Sequence, residues 1–204
     1  MRSSFIDRRL LFPCRPSSHG FSDNTGVNAL LCLNQCALSD KQGSSTMYVP
    51  GGDVSKAALA VHKSLPFASI EAFKNCKVDT LDNYVKSKKI ERIDFVKIDV
   101  EGAELLVLQG MQSILRQHRP PILLVEVFPD WMTDFGDHPG DLLKFLHQFG
   151  YIFSYVSKDG LISVQVDDTN IPGAPDCLAP NFLCIIPDIH SRKLLHLGVN
   201  KLPF

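Results

Sequence analysis

Apolar residues fall in short blocks along this chain, and the period inside each block predicts an element. Leu31 to Leu38 is a brief apolar run closed by Ser39-Asp40-Lys41-Gln42-Gly43. Thr46 to Val49 is another, closed by Pro50-Gly51-Gly52, and both read as strands bounded by turns. Residues 50–76 read as loop with at most a helical turn. Thr80 is placed to cap a short helix, with Leu81, Tyr84 and Val85 at i, i+3 and i+4. Lys86, Lys88 and Lys89 fall near its C-terminus, where the helix dipole favours cations. A strand over Ile93 to Asp99 precedes a helix whose one face carries Val107, Leu108, Met111, Ile114 and Leu115, and Arg119-Pro120-Pro121 stops it. Gly110 inside that helix costs about 1 kcal/mol against Ala.

Pro121 to Phe128 is apolar almost throughout, as a central parallel strand covered on both faces should be. Leu142, Phe145, Leu146 and Phe149 mark a third helix, with Gly150 suited to its end. Tyr151–Val156 and Leu161–Val166 flank Asp159-Gly160, a hairpin signal, and Asn181–Pro187 gives a last strand. Strand and helix thus alternate before an antiparallel finish, the signature of an α/β fold. Residues 1–29 have mixed polarity broken by Pro13, Pro16, Gly20 and Gly26 and give no firm element. We therefore read 1–30 as an irregular leader or truncated N-terminal part and 31–204 as one domain.

Composition narrows the function classes. The 204 residues carry 21 basic and 22 acidic side chains, so no long-range field recruits nucleic acid or an anionic membrane, and a small partner is expected. No apolar stretch approaches the roughly 20 residues that cross a bilayer. The six cysteines form no CxxC pair and the histidines lack metal-ligand spacing, which predicts incidental thiols, a reducing compartment and no metal. A cytoplasmic location follows, with the Arg- and Ser-rich first residues leaving an organelle as the alternative. Glycine fingerprints for dinucleotides or phosphates are missing, as are GxSxG and HExxH.

Candidate chemistry gathers where strands end. In open α/β sheets ligands bind beyond the carboxyl ends of the strands, and Asp99 and Glu126 fall at those ends on two consecutive strands, so a crossover between them would bring both carboxylates to one crevice. An unpartnered carboxylate within Leu123-Leu124-Val125-Glu126-Val127-Phe128 would be costly, which leaves a structural partner or a substrate-facing role for Glu126. Lys97 shares a strand face with Asp99, as a plain ion pair or as a base beside a reactive group. Glu101 and Glu104 read as acids in the first turn of the next helix, stabilised by its dipole.

Five segments in this order resemble a known family: Ala37–Pro50 (ALSDKQGSSTMYVP), Val78–Val85 (VDTLDNYV), Ile93–Met111 (IDFVKIDVEGAELLVLQGM), Pro120–Pro129 (PPILLVEVFP) and Asn181–Pro187 (NFLCIIP). The chain resembles the FkbM-type methyltransferases, a branch of the class I S-adenosylmethionine-dependent enzymes, over about residues 31 to 187. The resemblance implies a Rossmann-like sheet of strand order 3-2-1-4-5-7-6, mostly parallel with antiparallel C-terminal strands. It also implies S-adenosylmethionine as cofactor and methyl transfer, usually to a hydroxyl of a small-molecule or glycan acceptor. By motif, Asp40 becomes a cofactor candidate near the adenine, and Asp99 a cofactor and catalytic candidate. Lys97 and Glu101 join the catalytic centre, with Asp99 or Lys97 as base, and Glu126 lines the acceptor pocket.

The departures are specific. Relatives carry a first strand ending in a Gly-rich turn and a second ending in an acid that holds the ribose; neither is visible here, and 30 residues cannot hold two units of roughly 30 residues each. Relatives also often place His two residues after the acid that Glu126 matches, where this chain has Phe128. The expectation is a sheet that is only part of that fold, from a truncated gene model, from a chain completed by a partner or by a second copy, or from a non-catalytic interaction module derived from the enzyme. A dinucleotide oxidoreductase is disfavoured by the absent glycine fingerprint.

Overall fold

The computed structural model describes residues 20–21, 29–30, 34–63, 69–117, 120–157, 160–166 and 181–196. Strands β1 (Gly20–Phe21) and β2 (Ala29–Leu30) pair antiparallel inside the region for which the pattern gave no element. Two-residue strands need no apolar period, so the sequence could not show them. Of the strand expected over Leu31 to Leu38, residues 31–33 lie outside the described residues and β3 is Ala37–Leu38.

β3 belongs to a three-stranded sheet with β4 (Gly43–Pro50) and β5 (Ile70–Asp79), in the order β3-β5-β4. β5 runs parallel to β3 and antiparallel to β4, with a register shift between Ser45 and Met47. The loop expected over 50–76 does hold a 3-10 turn, Val54–Lys56, capped by the Asp53 carboxylate, which accepts from the Ser55 amide. From Ile70 onward, however, it is strand. Most of β5 faces solvent, so backbone pairing holds it and no burial pattern marks it in the sequence.

Helix α1 (Leu81–Lys88) starts as expected, with the Thr80 hydroxyl accepting from the Asn83 amide, and ends on Lys89 in the left-handed region. β6 (Phe95–Ile98) follows. The single helix expected next is two, α2 (Glu104–Gln109) and α3 (Gln112–Leu115), although all five residues of the expected face are buried. The break at Gly110 has a cause: a Cβ there would lie 2.0 Å from the Ser39 carbonyl oxygen, so the glycine lets the helix pair rest on the end of β3. Asp82 of α1 stabilises the break by accepting from the amides of Ser113 and Ile114, the start of α3.

The chain continues through β7 (Ile122–Glu126), α4 (Pro129–Met132), a 3-10 turn (Thr133–Phe135), α5 (Pro139–His147), β8 (Ile152–Ser157), β9 (Gly160–Val164), β10 (Asn181–Ile185) and α6 (Pro187–His196). β8 and β9 form the expected hairpin; its turn residues 158–159 lie outside the described residues. β6 to β10 make a five-stranded sheet in the order β6-β7-β10-β8-β9. Among the described residues, only β6–β7 and β3–β5 pair in parallel, which corrects the expectation of a mostly parallel sheet. β10 inserts between β7 and β8 antiparallel to both, and β9 folds back as a hairpin.

One face of this sheet carries the main core. Ile98, Leu123, Val125, Phe153, Phe182 and Cys184 pack on the buried faces of α2, α3 and α5. The opposite face has a smaller apolar cluster, Ile122 and Ile185 with Ile152 and Leu183. The described thiols, Cys36, Cys76 and Cys184, are free, and no described helix is long and apolar enough to cross a membrane.

Candidate functional site

The register of β6 on β7 builds the site. Lys97 lies opposite Leu124 and Ile98 opposite Val125, so one residue further the strands set Asp99 abreast of Glu126. Side chains alternate along a strand, so Ile98 and Val125 enter the core while Lys97, Asp99 and Glu126 share the other face. The carboxyls of Asp99 and Glu126 are close enough that Asp99 raises the Glu126 pKa, and the Lys97 ammonium pairs with Asp99. That ion pair is largely sheltered, with Lys97 17% and Asp99 13% exposed. β10 completes the edge, its first residue Asn181 lying opposite Glu126.

Glu101 is not a first-turn acid. β6 ends at Ile98, α2 begins at Glu104, and Glu101 occupies the turn between them in the left-handed region, φ 55°, followed by Gly102 at φ 95°. Glu104 does begin α2, but its carboxylate turns back to accept from the amides of Gly102 at 3.1 Å and Val100 at 3.3 Å. The acid thus braces the turn that presents Glu101, beyond any interaction with the helix dipole.

Electrostatics follow from burying so many acids together. Burial, then the charges of Asp99, Glu126 and Glu104, pushes the Glu101 carboxyl up to about 8, with Lys56 opposing. Burial, then the hydrogen bond and charge of Asp99, raises Glu126 well above the usual carboxylate range against the pull of Lys97. Glu104 is pushed up to about 7 by burial, against its hydrogen bonds to backbone amides. At neutral pH the cluster therefore holds protons that ordinary carboxylates would have released. It can accept or give a proton, and it gains negative charge when a cation arrives.

The structure brings Lys97, Asp99, Glu101 and Glu126 together and leaves Asp40 apart. Asp40 lies exposed just beyond β3, in the other sheet, accepting from the Ser39 hydroxyl at 3.0 Å. No group of three or more His, Cys, Asp or Glu among the described residues has the arrangement of metal ligands.

Sequence reasoning missed the neighbouring wall. His62 stacks on Trp131, Trp131 packs on Phe128, and Asp134 lies 3.1 Å from His62 Nδ1. No local pattern announces a pair 72 residues apart. The aromatic segment after Glu126 was the one available signal, and it reads equally as core.

Comparison with known proteins gives one match. The family model described as Methyltransferase FkbM domain matches residues 12–153, more than half of the chain. No curated protein and no solved structure matches it.

Proposed function

The chain belongs to the FkbM methyltransferase family, and from that premise we propose that it methylates a hydroxyl of a small-molecule or glycan acceptor at the Asp99–Glu126 crevice, using S-adenosylmethionine. The observation that carries this reading is the carboxyl pair abreast on β6 and β7, flanked by Glu101 and oriented by Lys97. The strand order β6-β7-β10-β8 supports it, being the order expected for the 4-5-7-6 half of the class I sheet.

The donor set suits the cofactor's charge. When bound, S-adenosylmethionine supplies an electrophilic methyl on a sulfonium centre. Asp99, Glu101 and Glu126 would hold its cationic end, and Asp40 would face its adenosine end. Lys97 keeps Asp99 oriented, and the Asp99–Glu126 pair takes the proton of the acceptor hydroxyl, with Asp99 as the base and Lys97 as its orienting partner. Positioning the acceptor oxygen is the rest of the protein's task.

Calorimetric titration with S-adenosylmethionine tests the assignment. A cation favours the ionised acids, so binding near neutral pH should release protons from Glu101 and Glu126, and affinity should rise about tenfold between pH 6.5 and 8.5. Repeating the titration in buffers of different ionisation heat measures the release. Absence of binding at both pH values, or binding without proton release, would reject the crevice as the cofactor site.

A further inference from the structure

The turn that carries Glu101 is held from outside its own strand pair. Two successive left-handed residues, Glu101 and Gly102, are costly for the first, by about 1–3 kcal/mol, unless the surroundings enforce them. Gly102 meets the backbone of Trp131 so closely that a Cβ would lie 2.6 Å from the Trp131 carbonyl oxygen. The Trp131 ring in turn stacks on the His62 imidazole, with centroids 4.7 Å apart and planes 17° apart.

His62 is built into this place. It is 2% exposed, its Nδ1 lies 3.1 Å from Asp134 Oδ2, and the Lys63 amide donates to the same oxygen at 3.2 Å. Its other ring nitrogen, Nε2, is buried without a hydrogen-bond partner among the described residues. An unpaired buried nitrogen costs about 1–3 kcal/mol, so the ring is kept there by its stack and by Asp134. The segment leading to His62 comes from the three-stranded sheet, where Ala58 exchanges backbone hydrogen bonds with Tyr48 at 2.8 and 3.0 Å. His62 therefore ties that sheet to the wall on which the Glu101–Gly102 turn leans.

We propose that His62 is a positioning residue for the acid cluster: by holding Trp131 against Gly102 it fixes the turn that presents Glu101 and keeps water from that carboxyl. The inference rests on reading the cluster as the working site, but its test reads no methyl transfer and no cofactor, so the two can fail separately. Carbon-13 NMR of labelled glutamate carboxyls, with E101Q assigning the signal, gives the Glu101 midpoint, which is expected at about 8 in the wild type.

In His62→Ala, water reaches the carboxyl and the midpoint should fall by about one pH unit or more. His62→Phe, which keeps the stack and loses the Asp134 contact, should fall between the two. Should His62→Ala not fold, Asp134→Ala removes the acceptor of the same contact and should also lower the midpoint. A folded variant that only melts earlier, with its Glu101 midpoint unchanged, would make His62 structural alone and overturn the proposal. A raised midpoint would overturn it too, because that is the sign of losing Lys56, which opposes the shift at Glu101.

Discussion

Glu104 is the residue at which local and tertiary effects part. It is 2% exposed and serves two backbone amides of the turn before its own helix. Alanine would leave those amides without their acceptor inside the protein, a loss of about 2–4 kcal/mol for the pair. Glutamine retains an acceptor oxygen and loses only the titration, so Glu104→Gln should lie within about 1 kcal/mol of wild type at pH 8. Urea unfolding of both variants checks this, and equal destabilisation would mean that the charge, and not the acceptor, holds the turn. Asp99 and Glu126 were legible as candidate site residues because an acid at the end of an apolar run has few structural excuses. Glu104 was not, because the helix dipole accounts for an acid at that position equally well.

Among the elements, the break between α2 and α3 depends on a contact with a different sheet. Gly110→Ala would drive a Cβ onto the Ser39 carbonyl, a backbone atom that cannot swing away, so a cost of about 3 kcal/mol is expected. Gly140, in the first turn of α5, has nothing within 4 Å of a built Cβ, so Gly140→Ala should be neutral or gain up to about 1 kcal/mol. Denaturant midpoints of the two variants make the comparison, and similar values would refute the close approach. Helix faces, the Thr80 cap and the β8–β9 hairpin were readable because each is encoded within a few residues. β5 and the split helix were not, since backbone pairing and one carbonyl from elsewhere decide them.

For the whole molecule, the acid cluster sets a pH dependence of stability. Glu101, Glu104 and Glu126 have folded values above their ordinary 4.5, so between about 4.5 and 8 the folded chain holds protons that the unfolded chain has released. Stability must therefore fall as pH rises through that window. Asp79 acts in the opposite sense: burial opposes, but hydrogen bonds from Asn83, Thr80 and Gln42 and the charge of Lys77 hold it below 3.8, so its contribution is lost in strong acid. Thermal melts should show a maximum near pH 5 and a decline toward pH 8, flattened when Glu101, Glu104 and Glu126 are all changed to Gln. A rising or level profile in the unmodified protein would contradict the burial of these acids.

What the sequence determined by itself is what short-range periodicity and composition carry: the α/β class, most helices and strands, the main core face, and two acids at consecutive strand ends. Family segments added the expectation of methyl transfer. Tertiary structure alone decided that Asp99 and Glu126 stand abreast, that Glu101 is lifted into a left-handed turn, and that His62 reaches Trp131 and Asp134. The reason is physical. Periodicity records which side of an element is buried, whereas register, close approach and the charges that crowd an acid depend on what a distant part of the chain places opposite it.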